Sequence, residues 1–523
     1  MIALAKPSIL DEFGKPYLNG KAQRARVELA EAFENTHSAK RRTQPVQAKY
    51  DAASSSDEYS NYWANADGLD ADSANSKAVR ETLVRRSRYE VANNGFSDGI
   101  ANTYADDLIG LGPTLRMQTA SEGFNRMVEL AWYQWTRAVK FRRKLWCMAH
   151  AKHQDGEGFG VIRRNLRVNH PVKLDLVLHE TEQCQTPLLP YGQPGYIDGI
   201  EFDAFGNATF YDFLDHHPGS NNLFHNFQLK PEKVPAKYVL HWFKLRRPGQ
   251  HRGIPDSTST LNLGAASRRW REAVLAAAEN IADFSLFLKT MFEPNEMDSV
   301  SPLSTLDIQK RMMTALPAGY DAFQPKAEQP TASHADFSKS LINEQARPKS
   351  MPYNKAACDS SDYNYASGRL DHQTYYGSLD IDREDCSDCV LDPLFETWFE
   401  FAVLTYGWLG GNPDALSDAA MFHEWDWPKH QVADIQAEAN ATDKKLKNGS
   451  ASLASTASEA GNDYEDELIT QAQSNGVTVD QQRQINMLIN LPQHVIPAVT
   501  AMLGIAAQPQ APAPAQEPEM AEA

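Results

Sequence analysis

The sequence predicts an α+β protein in which helical and strand-like segments occupy separate stretches of the chain. Apolar residues recur at helical spacing through residues 77–153 and again after residue 267. Residues 157–243 instead contain several runs in which apolar and polar residues alternate. The chain has 523 residues, of which 42% are hydrophobic, and this suffices for two to four domains with sizeable cores.

The N-terminal stretch, residues 1–75, is dominated by small polar residues and predicts an extended arm with a few aromatic docking points. The pattern then changes to two helices joined by a tight turn. Asn93, Asn94 and Gly95 mark the break between these helices, and Gly110 marks the end of the second.

Strands are predicted after the next two helical runs. The pattern switches to strand at Phe159–Arg163, and "VKLDLVLHE" alternates at period two. The stretch "GYIDGIEFDAFGNATFYDFL" predicts a hairpin that turns at Phe205, Gly206 and Asn207. A last strand-like run, "KYVLHWFKL", leads into a basic, turn-rich segment.

That segment, "FKLRRPGQHRGIPDSTSTL" at residues 243–261, predicts a rigid corner between a strand and a long helix. Proline fixes φ, glycine permits tight reversal of the backbone, and arginine bridges carboxylates bidentately. A DNA contact through Arg246, Arg247 and Arg252 is the alternative interpretation. The residues assigned to the corner are Arg246, Arg247, Pro248, Gly249, Gln250, Arg252, Gly253 and Pro255.

A long helix is predicted from Ser267 to Thr290, and at about 1.5 Å per residue its roughly 24 residues span about 36 Å. Its alanines present very short side chains, which permit close approach of a neighbouring helix. An ordinary core helix is the alternative. The residues predicted to pack against a neighbour are Ala273, Ala277, Ala278 and Ala282.

The rest of the chain is predicted to consist of shorter modules. Residues 294–333 are Pro-rich with little periodicity, His334–Ala346 is a helix candidate, and residues 347–363 form a loop. The amphipathic run "DPLFETWFEFAVLTYGWL" precedes an acidic, helical segment at about residues 425–497. Residues 498–523 are rich in Pro, Ala and Glu and are predicted to be disordered.

Composition limits the classes of function. The formal net charge of −17 argues against a general basic surface that clings to nucleic acid, although it is compatible with DNA that slides past. The sequence contains no run of 18 apolar residues, so it predicts no membrane span. We expect a cytoplasmic chain. Cys386 and Cys389 form a CxxC without a second pair of zinc ligands, so we predict two half-buried thiols.

One cluster, "HAKHQDGEGF", offers candidate metal ligands. His150, His153, Asp155 and Glu157 have suitable side chains for a divalent metal. Their spacing fits no helical pair at i, i+4, and Asp155 with Gly156 as readily forms a turn. A metal-dependent hydrolase that uses these residues is therefore an alternative function.

Four motifs follow one another along roughly residues 50–430. They are "RETLVRRSRYEVANNGFSDGIANTYADDLIGLGPTLRM", "HWFKLRRPGQHRGIPDSTSTL", "NYASGRLD" at 364–371, and "LDPLFETWFE". In content and order they resemble the lambda-type phage portal protein family. The chain departs from the family at "RPKSMPYNKAACDSSD", where a Gly-rich apolar stretch and a proline are usual, and after Trp427, where Asp-Pro is missing.

The resemblance implies a portal-like subunit with a mixed α/β wing, a helical stem, a small clip and a helical crown. It further implies a ring of about twelve copies, without catalytic residues, cofactor or metal. Mapped by order, the parts are an arm at 1–75, the wing at 76–265, a stem helix at 266–293, the clip at 294–333, a second stem helix at 334–346, a channel loop at 347–363, wing return helices at 364–424, a crown-like region at 425–497 and a tail at 498–523.

The function implied is a channel at one capsid vertex of the virion, assembled in the host cytoplasm, through which double-stranded DNA is packaged and ejected without sequence specificity. The implied partners are the terminase large subunit, the major capsid or scaffold protein and a head-tail connector protein. Arg347, Lys349 and Lys355 are predicted to form a mobile cationic belt that touches DNA phosphates, with a solvated surface loop as the alternative. A ring-forming tail or baseplate protein is the other structural class that fits.

Overall fold

The computed structural model describes residues 63, 66–186, 195–221, 231–283, 287–290, 320–323, 334–361, 363–411, 420–430, 435–459 and 464–490. The chain divides into two units, Met1–Leu69 and Asp70–Ala523. The described part of the first unit is a turn in which Ala66 N–H donates to the Trp63 carbonyl. All helices and strands given below belong to the second unit. Most of the predicted arm, much of the predicted clip and the predicted tail lie outside the described residues.

The prediction of two helices joined by a tight turn is confirmed, because Lys77–Asn93 and Gly95–Ile109 are helices that meet at Asn94. This residue ends one helix, and its side chain accepts a hydrogen bond from Phe96 N–H at the start of the next. Gly110, at φ 53°, ends the second of the pair. The first five helices are α1 (Ala71–Ala74), α2 (Lys77–Asn93), α3 (Gly95–Ile109), α4 (Glu122–Ala138) and α5 (Phe141–Gln154).

Two antiparallel sheets follow, and they confirm the predicted strands and the hairpin at Phe205–Asn207. The strands are β2 (Glu157–Arg164), β3 (Leu174–His179), β4 (Tyr196–Ile197), β5 (Ile200–Phe202), β6 (Ala208–Phe213), β7 (Glu232–Pro235) and β8 (Val239–Phe243). One sheet has the strand order β3-β2-β8 and the other has the order β4-β5-β6-β7.

The central strand β2 separates two hydrophobic cores. Phe159 and Val161 point into a small core shared with the four-stranded sheet. Ile162 points the other way, into the large helical core, because successive side chains of a strand face opposite sides. Gly158 lies on that helical side, where a Cβ would sit 2.9 Å from the Met148 carbonyl of α5. Glycine therefore lets helix and sheet approach closely.

The remaining helices include the long helix, the return helices and a C-terminal helical group. The return helices run through a π-helical turn at Ser387–Leu391 and bury an aromatic cluster that includes Phe395 and Trp398. The helices are α6 (Leu261–Asp283), α7 (His334–Ala346), α8 (Tyr353–Ala356), α9 (Tyr365–Cys386), α10 (Asp392–Tyr406), α11 (Ile435–Lys447), α12 (Leu453–Glu459), α13 (Tyr464–Asn475) and α14 (Val479–Asn490).

The long helix differs from its prediction at both ends. It begins at Leu261 rather than Ser267, because the 3₁₀ turn Asp256–Thr260 leads directly into it. It is described to Asp283, and Phe287–Thr290 (β9) is a strand that pairs with Tyr320–Phe323 (β10). The strand partner lies far along the chain, so local periodicity could not reveal it.

A second pairing joins two distant parts of the chain. Thr114–Met117 (β1) pairs antiparallel with His423–Asp426 (β11). The segment predicted to be helical from about residue 425 therefore starts with the last two residues of a strand. Among the helices of the described residues, none combines the length with the apolar character that a membrane span requires.

Candidate functional site

The corner after β8 is held together by hydrogen bonds between its own residues. The backbone reverses at Gly249, whose φ is 75°, and Gln250 N–H donates to the Arg247 carbonyl at 3.2 Å. The Gln250 side chain accepts from Arg246 N–H at 3.0 Å and donates to the Arg252 carbonyl at 2.8 Å. Pro248 is exposed on the turn, while Pro255 is buried and opens the 3₁₀ turn that starts α6.

Arg252 is the buried centre of this corner, with 2% of its surface exposed. Its Nη2 lies 2.6 Å from Oε1 of Glu157, a β2 residue that is 1% exposed. Further donations reach the carbonyls of Thr181 at 3.1 Å and Cys184 at 3.2 Å. The guanidinium thereby joins the corner to both sheets, as a planar fork of donors permits.

The carboxylate of Glu157 receives more than one donor. Gly253 N–H donates to its Oε2 at 2.8 Å, and His241 Nε2 lies 3.1 Å from the same oxygen. Burial opposes the charge of Glu157, but Arg252 and His241 outweigh it and hold the pKa of this carboxyl well below its usual value. Glu157 is therefore a structural anion.

Two glycines allow the corner to touch the start of β2. A Cβ on Gly253 would lie 2.2 Å from the Gly156 carbonyl oxygen, and one on Gly156 would lie 2.3 Å from the Ile254 carbonyl carbon. Gly156 also has a φ of 91°, which favours glycine. The turn predicted at Asp155–Gly156 is thus the point where two backbones meet.

A second buried carboxylate, Asp256, links the corner to the end of α7. Its Oδ2 lies 2.5 Å from Lys349 Nζ, its Oδ1 lies 2.7 Å from Arg246 Nη2, and His153 Nδ1 is 3.8 Å away. Asp256 is 2% exposed and Lys349 is 3% exposed. Burial opposes the charge of Asp256, yet Lys349 and His153 hold the pKa of its carboxyl well below the usual value.

The network continues from Lys349 into α9. Its ammonium lies 3.5 Å from Asp382 and 3.6 Å from the centre of the Tyr104 ring. Tyr104 donates its hydroxyl to Asp382 at 2.9 Å, and Lys152 Nζ lies 3.1 Å from the same carboxylate. Lys152 also pairs with Asp385 at 3.0 Å. We call Lys152, Asp256, Lys349, Asp382 and Asp385 the anchor network.

The anchor network holds both ends of one helical excursion. Asp256 is the first residue of the 3₁₀ turn that leads into α6, and Lys349 lies in the 3₁₀ turn that follows α7. Between these ends, Trp270 of α6 stacks on His334 at 4.8 Å and meets Phe337 edge-on at 5.1 Å. Because the chain enters α6 and leaves α7 at one buried cluster, and Trp270 packs against the first turn of α7, the two helices run antiparallel.

The predicted metal ligands do not converge. His150 stacks on Trp146, His153 lies beside Asp256, and Glu157 binds Arg252. Asp155 instead pairs with Arg88 at 2.7 Å. The hydrolase alternative thus loses its geometric basis. The described residues contain one group with metal-like spacing, Glu180, Glu182 and His217, but the Arg88 guanidinium lies 3.0 Å from each of these carboxylates and fills the cationic position.

The three residues predicted to touch DNA have different surroundings. Lys349 is enclosed in the anchor network, so its ammonium cannot reach a phosphate in this conformation. Lys355 pairs with both oxygens of Asp107 at 3.0 Å and is partly exposed. Arg347 is exposed and makes no ion pair within the part of the chain that the structure describes. The predicted belt therefore narrows to Arg347 and Lys355.

The predicted packing alanines lie on two sides of α6. At about 100° per residue, Ala273 and Ala277 share one face, and Ala278 and Ala282 share the opposite face. Ala273 is exposed, and Ala277 and Ala278 are half-buried; the side chain of Ala282 lies outside the described set. The single face expected from the sequence is replaced by two small-residue faces.

Sequence reasoning missed the partners of the corner. The buried Arg80 pairs with Asp198, whose backbone carbonyl accepts from Arg252 at 2.5 Å. Asp382 lies in a run of acidic residues, and nothing in its local sequence singles it out as a partner of Lys152 and Lys349. The arginine-rich run before Asn94 was a usable signal, but its carboxylate partners lie too far along the chain for local pattern to pair them.

Comparison with known proteins identifies the family. The family model for phage portal proteins of the lambda family matches residues 60–379. No curated protein matches the chain. Several solved structures are similar at 13% identity, with 73% of this chain and 93% of the other covered. They are the virion of a native gene transfer agent particle at a TM-score of 0.41, the neck of the native particle computed with C12 symmetry at 0.39, and the neck of the empty particle computed with C6 symmetry at 0.41.

The residues matched by the family model include the corner and the helices α6 and α7. They also include three members of the anchor network, Lys152, Asp256 and Lys349. The match covers more than half of the 523 residues. The chain therefore belongs to the lambda family of phage portal proteins, which is a family of structural proteins.

Proposed function

We propose that this chain forms a ring of about twelve copies at one vertex of a phage capsid, and that double-stranded DNA passes through the ring during packaging and ejection. Family membership supports this role. The terminase large subunit, the major capsid or scaffold protein and a head-tail connector protein are the proposed partners. The ring acts as a conduit and contributes no catalytic chemistry.

The observation that carries the proposal is the anchored helical pair. Helices α6 and α7 form the proposed stem, because both are fixed at one end by a buried cluster of charges. A stem that lines a channel must keep its position while a long polymer moves past it. Residues 76–265 with the return helices and β11 are then the wing, residues 294–333 the clip, and residues 427–497 the crown-like region.

Negative-stain microscopy of the purified protein tests the proposal. We expect rings with an axial hole wide enough for a DNA duplex. A small, compact monomer under all assembly conditions would overturn it. A ring that assembles but does not bind a packaging ATPase would indicate a tail or baseplate component instead.

Assembly is expected to depend on the small-residue faces of α6. A helix with a neighbour on each side, as in a ring, needs two such faces. Replacing Ala277 with leucine should overpack the contact at a cost of about 1–3 kcal/mol per interface and lower the yield of rings on size-exclusion chromatography. Circular dichroism should show that the subunit still folds.

A matched control lies on the same helix. Glu279 is exposed and lies outside both faces, so Glu279→Leu adds comparable apolar bulk where no neighbour is expected. The proposal requires that this variant form rings normally. Equal ring yields from Ala277→Leu and wild type would remove α6 from the interface.

The narrowed belt is proposed to touch the phosphates of passing DNA. Arg347 is exposed, and Lys355 shares its charge with a partly exposed carboxylate, so both can meet a phosphate weakly. The double variant Arg347→Ser with Lys355→Ser should assemble into rings but retain shorter DNA in an in vitro packaging assay with a nuclease-protection readout. Full-length protection would assign the loop to the solvated surface.

A further inference from the structure

A large open cavity lies beside the N-terminal half of α5. Its volume is about 610 Å³, within the range of pockets that hold small ligands or short peptide segments. One wall comes from the end of α4 and the first turns of α5, and the other from the loop that joins β2 to β3. The cations that line it are Lys140, Arg143, Lys144 and Arg167.

The cavity is locally basic in an acidic chain. Asp175 is the acidic residue among its lining residues, and it is engaged by Lys144 Nζ at 2.5 Å and Asn165 Nδ2 at 2.9 Å. Lys140, Arg143 and Arg167 are exposed, and none of the three makes an ion pair within the described ranges. Three positive charges thus remain uncompensated, while the whole chain carries −17.

Lys140 and Arg143 do not stabilise α5, the helix at whose N-terminus they lie. Lys140 precedes the first residue of α5 with a φ of 55°, and the first turn contains no acidic residue. Cations near a helix N-terminus oppose the helix dipole, so Lys140 and Arg143 are unfavourable for α5 itself. An anionic ligand in the cavity would offset both charges.

The floor of the cavity indicates the kind of anion. Val139 and Val168 are buried lining residues, and none of the described residues that line the cavity is aromatic. Nucleobases bind single-strand sites by stacking on aromatic rings, which this cavity does not offer. Apolar floor and cationic rim together suit a peptide in which acidic and apolar residues alternate.

This chain contains such a peptide. We propose that the segment "EPEMAEA", residues 517–523, binds in the cavity with Glu517, Glu519 and Glu522 on the cationic rim and Met520 on the apolar floor. Three carboxylates match three uncompensated cations. The 26 residues that separate Asn490 from Glu517 can span at most about 90 Å when fully extended.

Zero-length carbodiimide cross-linking of the full-length protein tests this proposal. The reagent joins a carboxylate to an amine only where the two are in contact, so we expect cross-links from Lys140 to the tail glutamates, read by mass spectrometry. The double variant Arg143→Glu with Arg167→Glu should lower their yield by about tenfold at low ionic strength. Mixing isotopically labelled and unlabelled protein tells the same subunit from a neighbour.

The variants carry their own controls. An acidic residue in the first turn of a helix is favourable, so Arg143→Glu should not lower the thermal midpoint, and loss of cross-links cannot be blamed on unfolding. Arg86→Glu removes an exposed cation on α2, away from the cavity, and should leave the yield unchanged. Absent cross-links, or equal yields in the double variant, would overturn the proposal.

A binding measurement separates the other occupants. A fluorescent peptide of residues 515–523 should bind the full-length protein in competition with its own tail, and inorganic phosphate should displace it poorly. Duplex DNA that binds more tightly than the peptide, with the same dependence on Arg143 and Arg167, would assign the cavity to nucleic acid and overturn the peptide assignment. None of these readouts depends on whether rings form.

Discussion

Replacing Arg252 with alanine is expected to lower the free energy of unfolding by about 3–5 kcal/mol. The change removes the guanidinium from Glu157, a carboxylate that is only 1% exposed. It also removes the hydrogen bonds that Arg252 donates to the backbone carbonyls of Thr181 and Cys184. Urea unfolding followed by circular dichroism measures the effect.

The same corner supplies the control. Arg247 is exposed, so Arg247→Ala should change the unfolding free energy by less than about 0.5 kcal/mol. The comparison also decides between the two interpretations of the basic segment. An Arg252→Ala protein with wild-type stability and a packaging defect would make the corner a DNA contact.

Replacing Lys349 with methionine is expected to cost a similar amount, about 3–5 kcal/mol at neutral pH. Methionine keeps most of the apolar methylene chain of lysine but removes the ammonium. Asp256 then loses its closest cation, and Asp382 loses one of its cations, inside a buried cluster. Thermal unfolding of the two proteins provides the measurement. Arg347→Ser, two residues away and exposed, should unfold like wild type.

The effect of Lys349 should depend on pH in a definite direction. The pKa values of Asp256 and Asp382 are lowered, with burial opposing the shift and Lys349 the largest cause of it. A lowered carboxyl pKa adds stability above the ordinary value of 3.8, and this stability is lost as the pH falls through the folded-state pKa. The difference between wild type and Lys349→Met should therefore be full above about pH 5 and shrink in acid. A difference that grows in acid would contradict the assignment.

Local pattern sufficed wherever the determinant lies within a few residues. The break at Asn94, the turn at Gly156 and the alternation of β3 are each encoded in a short window, and the structure contains all three. The β1–β11 and β9–β10 pairings were missed because each strand is short and its partner is distant. Four-residue strands have too few alternations to be distinguished from irregular chain.

The candidate site was predicted in kind but not in detail. Proline, glycine and arginine predicted a corner held by carboxylates, and in the structure Arg252 pairs with Glu157 and Arg246 pairs with Asp256. The sequence could not tell that Arg252 is buried while Arg247 is exposed, because both lie among the same neighbours. Lys349 was taken for a mobile surface cation, since a Pro-flanked loop gives no local sign that two distant aspartates enclose it.

The β9–β10 ribbon has a consequence for how such chains can diverge. Its register places Thr290 opposite Tyr320, so the two residues that flank 291–319 are neighbours in space. The entropy of closing a loop grows only slowly with its length, so the ribbon tolerates insertions, deletions or exchange of that segment. Residues 291–319 can therefore change in sequence and length during evolution, and so can the partner that they suit. Helices α6 and α7 and their buried charges need not change with them.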